Sequence, residues 1–255
     1  MMKKGVFLFL VMCMAVLSLE AGEGYTTVNR FKGKRISRLD VSGIWEIQLS
    51  QGKQTGVKLT FPERFKKQLE VSLDGEKLNI GFHGEVHLKS GEKLKAVVVC
   101  SSLQKIELSG ACRLEGKGRF SGREMQFELT GAAKVQMNDE VIVSGKLKTD
   151  LSGVSCLSCK KISAQQFDME LSGTSKIELS GKARQGKIEA SGVSKCDLSD
   201  FQVVKVEVDI SGVTNVQLNV SELITGEVSG ASKVKYTGAA SAQVDVSGTA
   251  GLKHL

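Results

Sequence analysis

An acidic residue, an apolar residue, Ser or Thr, then Gly: this phrase returns eight times between residues 107 and 248, at intervals of 18 to 22 residues. The acidic positions are Glu107, Glu128, Asp150, Glu170, Glu189, Asp209, Glu227 and Asp245. The corners that follow are Ser109-Gly110, Thr130-Gly131, Ser152-Gly153, Ser172-Gly173, Ser191-Gly192, Ser211-Gly212, Ser229-Gly230 and Ser247-Gly248. A unit this short cannot bury an apolar face alone, so successive units must stack and share one core. A further copy, Asp40-Val41-Ser42-Gly43, stands isolated far upstream.

Around each corner the side chains alternate. Met169, Leu171, Ile177 and Leu179 share one parity, while Glu170, Ser172, Lys176 and Glu178 share the other. Period two is the mark of a strand with one buried face. The corner glycine falls on the inward parity, and small residues take the next inward place: Ala133, Ser155, Ser175, Ser194, Thr214 and Ser232. Pro62 is the only proline against 28 glycines, which suits uninterrupted ladders with tight corners. Residues 106–255 are therefore expected to form a right-handed parallel β-solenoid with one coil of about twenty residues per phrase. Antiparallel hairpins are the competing arrangement, disfavoured by the single phrase per repeat.

Residues 22–105 are less regular and read as a β region capping the N-terminal coil, continuous with the solenoid as one unit. Val57-Leu59-Phe61, Leu69-Val71-Leu73, Leu78-Ile80-Phe82 and Leu94-Ala96-Val98 alternate like strands. Asp74-Gly75 and Gln51-Gly52 mark turns, and Pro62–Lys67 suits one helical turn. The last coil runs to Leu255 without an obvious cap, an edge open to docking or to fraying.

Residues 1–21 have the order of a secretory signal: Lys3 and Lys4, then an apolar run from Gly5 to Leu19, then Ala21 as a small residue for cleavage. A Sec-type route to the periplasm, the outer surface or the medium follows. Lipidation at Cys13 would need a better match than Met12 before it. No second apolar run follows, so no transmembrane segment is expected in the mature chain. The mature chain keeps Cys100, Cys112, Cys156, Cys159 and Cys196, an odd number that leaves at least one thiol unpaired in a monomer. Cys112, Cys159 and Cys196 fall on inward places and read as small buried hydrophobes. Cys156 takes the outward lysine place and is the one candidate reactive thiol.

The net charge of +7 comes from scattered lysines, not a basic stripe, and aromatic residues make up 5% of the chain. Nucleic-acid binding is not expected. The acidic positions of stacked coils would form a column of like charges about 5 Å apart, each pair repelling by about 1 kcal/mol in a water-like dielectric. Arg113, Lys134, Lys176, Lys195 and Lys233 form a basic column that offsets it in a cross-rung lattice. Calcium held by the acidic ladder is a weaker reading, since the glycine–aspartate nonapeptide of calcium solenoids is absent. Otherwise no cofactor is expected. His83, Glu85 and His87 share one strand parity and make a weak zinc candidate. Eight equivalent hydroxyl corners are a structural signature, and no histidine accompanies them as a base, so no enzyme is expected.

Phe31-Lys32-Gly33, the Leu-Asp-Val-Ser-Gly strand, Asp74-Gly75-Glu76-Lys77-Leu78-Asn79-Ile80 and the reiterated Leu-Ser-Gly-x-Ser-Lys-Ile-Glu-Leu together resemble the head GIN domain family of auto-transporter adhesins. The resemblance spans nearly the whole mature chain. It implies an exported bacterial envelope protein with a β-helical body and brings no catalytic residues with it. Two functions follow as expectations: a surface or periplasmic module that binds envelope polymer, glycan or another protein, and a structural scaffold of the envelope. A polysaccharide-active β-helix enzyme is a more distant third.

Overall fold

The structure is a computed structural model and describes residues 24–255. The leader reading of residues 1–21, and Cys13 with it, lies outside the described residues. Among the described residues nineteen strands join in one continuous sheet, and most of its ladders are parallel. The first nine are β1 (Tyr25–Arg30), β2 (Arg38–Gly43), β3 (Trp45–Gln51), β4 (Gly56–Pro62), β5 (Leu69–Asp74), β6 (Lys77–Phe82), β7 (Leu94–Cys100), β8 (Lys105–Gly110) and β9 (Arg113–Lys117). Two short strands follow, β10 (Phe120–Gly122) and β11 (Met125–Leu129). Five long strands form the body: β12 (Lys134–Leu151), β13 (Cys156–Leu171), β14 (Lys176–Ala190), β15 (Lys195–Ile210) and β16 (Asn215–Val228). The last rung is β17 (Lys233–Thr237), β18 (Ser241–Val246) and β19 (Gly251–His254).

Each long strand is nearly a whole coil. The β12–β13 ladder runs straight over Lys134–Met137, Glu140–Val143 and Lys146–Leu151, with register shifts between these runs. The chain bends at the shifts and turns fully at the Ser-Gly corner. Period-two burial holds along each run: Leu157, Cys159, Ile162, Phe167, Met169 and Leu171 of β13 are all buried. The β-solenoid expected from the repeat is the fold observed.

The corners stack in one column. The amide of Ser172 donates to the carbonyl of Leu151 at 2.8 Å, and that of Ser191 to Leu171 at 2.9 Å. Gly173 has φ +68°, in the left-handed region that favours glycine, and a Cβ there would lie 2.6 Å from the Gly153 carbonyl oxygen. The glycine is not inward, as its parity had suggested. The left-handed residue reverses the chain, so alternation does not carry across the corner; the glycines are exposed and the interior is refilled two residues on. There the small residues are buried, and most close the turn: Ser155 Oγ donates to the Ser152 carbonyl at 2.7 Å, Ser175 to Ser172 at 2.6 Å, Thr214 to Ser211 at 2.8 Å.

The stack also extends upstream. Ser42 and Gly43 of β2 pair in parallel with Ser109 and Gly110 of β8, and β3 pairs with β9. The copy that stands isolated in sequence is thus the neighbouring rung in space. On its far side β6 and β7 make another rung, pairing with β2 and β3. Here the ladders turn antiparallel, in the β5–β6 hairpin at Asp74-Gly75 and in the β1–β4–β7 arm. The helical turn is a 3₁₀ turn at Glu63–Phe65. Phe82 stacks on Trp45 with centroids 5.3 Å apart and meets Phe61 and Phe65 edge-on, closing the core at this end with aromatic surface.

Candidate functional site

Because the coils share a register, each outward position of the repeat becomes a column on the surface. The acidic ladder is one of them: Asp40, Glu107, Glu128, Asp150, Glu170, Glu189, Asp209, Glu227 and Asp245 face one another rung by rung. Its neutralising cations are not those the sequence suggested. They stand on the same side of the coil, in the register row two residues before the acids. Lys77 Nζ lies 2.8 Å from Asp40 and 3.0 Å from Glu107. Lys105 Nζ lies 2.8 Å from both Glu107 and Glu128. Lys187 reaches Glu189 at 2.5 Å, and Lys148 reaches Glu170 at 3.6 Å. Burial pushes the Glu107 carboxyl up, but bonds from Lys105 and Lys77 outweigh it and hold the group down at about 2. Asp150, Asp209, Glu227 and Asp245 form no ion pair among the described residues; a shallow depression of about 280 Å³ runs past Asp150, Glu170, Glu189 and Asp209.

The basic column after the corner lies on the other side of the turn and has acids of its own. Lys176 bridges Glu178 at 2.5 Å, and Lys195 bridges Asp197 at 3.4 Å. Arg113, Lys134, Cys156, Lys176, Lys195 and Lys233 stand in line through the paired strands, with Asn215 between the last two. Cys156 is half-buried between Lys134 and Lys176. Burial raises its thiol, while the two ammonium groups pull the other way. Cys100, Cys159 and Cys196 are buried and pushed up to about 12, and Cys112 to about 11. Among the described residues all five are free thiols.

His83, Glu85 and His87 do not share a strand. β6 ends at Phe82, the chain turns at Gly84 with φ +80°, and residues 83–88 are irregular. His83 Nδ1 lies 3.7 Å from Glu70, and His87 Nε2 lies 3.8 Å from Glu85, all largely exposed. Loss of the strand removes the shared face on which the zinc reading stood. The corner hydroxyls make backbone contacts, as in Ser172 Oγ to the Leu151 carbonyl at 3.4 Å. His254 stacks on Tyr236 in the last rung, 4.7 Å between centroids, with Nε2 at 2.9 Å from the Gly238 carbonyl oxygen.

One surface feature escaped the sequence reading. The residue after each corner glycine points outward, and Val154, Val193 and Val213 are 65%, 58% and 51% exposed. They share a ridge with Ala132, Thr174 and Ala231, whose amides all bond to the glycine carbonyl of the previous rung. The signal was present: an apolar residue on an outward place in several copies. These faces are a set of parallel charged, hydroxyl-bearing and apolar rows fixed by backbone ladders.

No helix among the described residues is long and apolar enough to cross a membrane. No curated protein matches the chain. Its structure is similar to that of a "putative adhesin" from Parabacteroides merdae, with 17% identity, 92% of this chain and 98% of that chain covered, and a TM-score of 0.85. A second "putative adhesin", from Parabacteroides distasonis, gives 17% identity, the same coverage and a TM-score of 0.84. A "putative lipid binding protein" from Parabacteroides distasonis gives 15% identity, the same coverage and a TM-score of 0.80. At these identities the likeness establishes the fold. The family model described as "Putative auto-transporter adhesin, head GIN domain" matches residues 36–240, from the first buried residue before β2 to the last rung, and the chain belongs to that family.

Proposed function

We propose that the protein is an exported, non-catalytic interaction module of the bacterial envelope, acting at the surface or in the periplasm. It presents its side columns to an extended partner: envelope polymer, glycan or another protein. The observation that carries this reading is the register of the outward columns. Each is held by backbone ladders through the stack, so a linear partner meets a regularly spaced row of side chains whose backbone needs no further ordering. The apolar ridge at Val154, Val193 and Val213 and the charged rows beside it are of that kind. Family membership supports an interaction role, and the leader at residues 1–21 supports export. The reading invokes no cofactor; in the acidic ladder Lys105 pairs with Glu107 and Glu128, and Lys187 with Glu189.

The test is sedimentation of the purified protein with isolated bacterial envelopes and a glycan array at physiological salt. Retention that persists on modest salt addition is the expected result. Release of all bound protein under those conditions reduces the interaction to unspecific attraction. No retention at any salt would favour the scaffold reading instead.

A further inference from the structure

In one place several unpaired cations gather. Where the antiparallel arm joins the stack, β4, β7, β3, β9 and β12 lie side by side, and their outward residues line a cleft of about 500 Å³. Four cations stand in it, one per strand on four of the five: Lys58, Lys95, Arg113 and Lys134. Among the described residues none of the four forms an ion pair. The two carboxylates in the cleft are already engaged. Glu46 Oε1 is held by Lys93 Nζ at 2.7 Å, and Glu115 by Lys117 at 3.3 Å and by Asn138 Nδ2 at 2.7 Å. Farther along the same columns Lys176 and Lys195 are neutralised on their own strands by Glu178 and Asp197. The cleft is left with an excess of positive charge.

We propose that this cleft binds an acidic glycan, a linear saccharide bearing carboxylate or sulfate groups. The proposal rests on the interaction-module reading and gives it a site and a ligand class. Lys95, Arg113 and Lys134 share one register row across β7, β3, β9 and β12, with Glu46 between Lys95 and Arg113, and Lys58 stands one row aside on β4. Five strands at the spacing of a β-ladder span about 19 Å, so the cations are spread across the sheet and match repeated anions on a chain better than one compact headgroup. Arg113 offers a planar fork for bidentate contact with a carboxylate or sulfate. Gln48 and Gln136 stand in the row of Lys58, and Thr60 beside Lys95, as partners for sugar hydroxyls, and the exposed Val97 offers apolar surface to a sugar's C–H face. The cleft is built from strands far apart in sequence, which is why a scan for basic runs does not find it.

The probes are polygalacturonate, heparin, neutral dextran and phosphatidylcholine vesicles containing phosphatidylglycerol, titrated by calorimetry against the purified protein at physiological salt. The paired variants are Lys95→Gln with Arg113→Gln, and Lys176→Gln with Lys195→Gln as a control of equal charge change on the same columns. All four side chains are at least partly exposed, and unchanged thermal melts confirm folding. Expected is binding of polygalacturonate or heparin but not dextran, weakened at least tenfold by the cleft pair and less than twofold by the control pair. Equal weakening by both pairs, no binding of either polyanion, or binding of the vesicles alone would overturn the proposal. Envelope sedimentation of the cleft pair separates the two readings. If it still sediments as the unmodified protein does, the interaction module stands and the cleft assignment falls; if the unmodified protein itself fails to sediment, the broader reading falls.

Discussion

Leu171 and Glu170 are neighbours in one strand with opposite fates. Leu171 is 2% exposed and stacks between Leu151 and Ala190, while Glu170 stands in water with Lys148 at 3.6 Å. Leu171→Ala should cost about 2–5 kcal/mol through lost burial and a cavity. Leu171→Asp should prevent folding, and Glu170→Gln should change stability by no more than about 0.5 kcal/mol. Denaturant unfolding of the three variants measures this, and equal tolerance would contradict the parity. Thr149 is a different case. It is fully buried between Phe127 and Met169, and its hydroxyl has no hydrogen-bond partner among the described residues. Thr149→Val keeps the shape and removes the orphaned group, so it should stabilise by about 1 kcal/mol. Glu107 contributes to the acid limit. Its folded value is depressed to about 2, below the unfolded value near 4.3, so its contribution is complete above the unfolded value and is lost as pH falls toward 2. The melting temperatures of the protein and of Glu107→Gln should therefore differ at pH 7 and converge between about pH 4 and pH 2. A gap that stays constant over that range would mean the pairing with Lys105 and Lys77 contributes nothing.

At the scale of the coil, stability is the sum of each rung and its two interfaces. Deleting residues 174–192 removes one coil and joins Gly173 to Val193, so corner still follows corner and every inward column stays in phase. That variant should fold, with a strand signal by circular dichroism and a cooperative melt. Deleting residues 174–183 takes out the Ile177–Leu179 side and leaves a coil too short to close, and it should not fold. If both deletions behave alike, the coil is not the unit of this fold. The same logic explains what the sequence disclosed. Within a coil, strand, corner and buried face follow from local alternation, and residues 106–255 could be read from it. The β2–β3 rung could not be read so, because the rungs on both sides of it are supplied by chain that comes later, and parity within Asp40–Gly43 says nothing about what stacks on it. Charge pairing was legible only in part. The sequence pattern puts Lys105 and Glu107 on one face, but which column faces which depends on the side of the corner. The cleft of Lys58, Lys95, Arg113 and Lys134 had no sequence signal, since an inserted arm brings its strands together.

The whole molecule is a stack with two unlike ends. At the first end the core meets Trp45, Phe61, Phe65 and Phe82 and is closed by antiparallel strands. At the other end β18 and β19 pair on one side alone among the described residues: β18 with β16, and β19 with β17. Val246 is 45% exposed although its partner in the ladder, Val228, is fully buried. A rung with one interface holds about half the neighbour contacts of a rung with two, so opening should begin at this end and travel inward. Native-state hydrogen exchange should then show amides of Ser241–Val246 and Gly251–His254 exchanging first and those of β14 and β15 last. The aromatic end should stay protected nearly as long as the middle. If the partner proposed for the side columns binds far from the last rung, in the cleft at β4–β12, it should slow exchange there and leave the exchange of β18 and β19 unchanged. Protection of the terminal rung by the ligand, with the cleft unaffected, would place recognition on the open edge and not on the side of the solenoid.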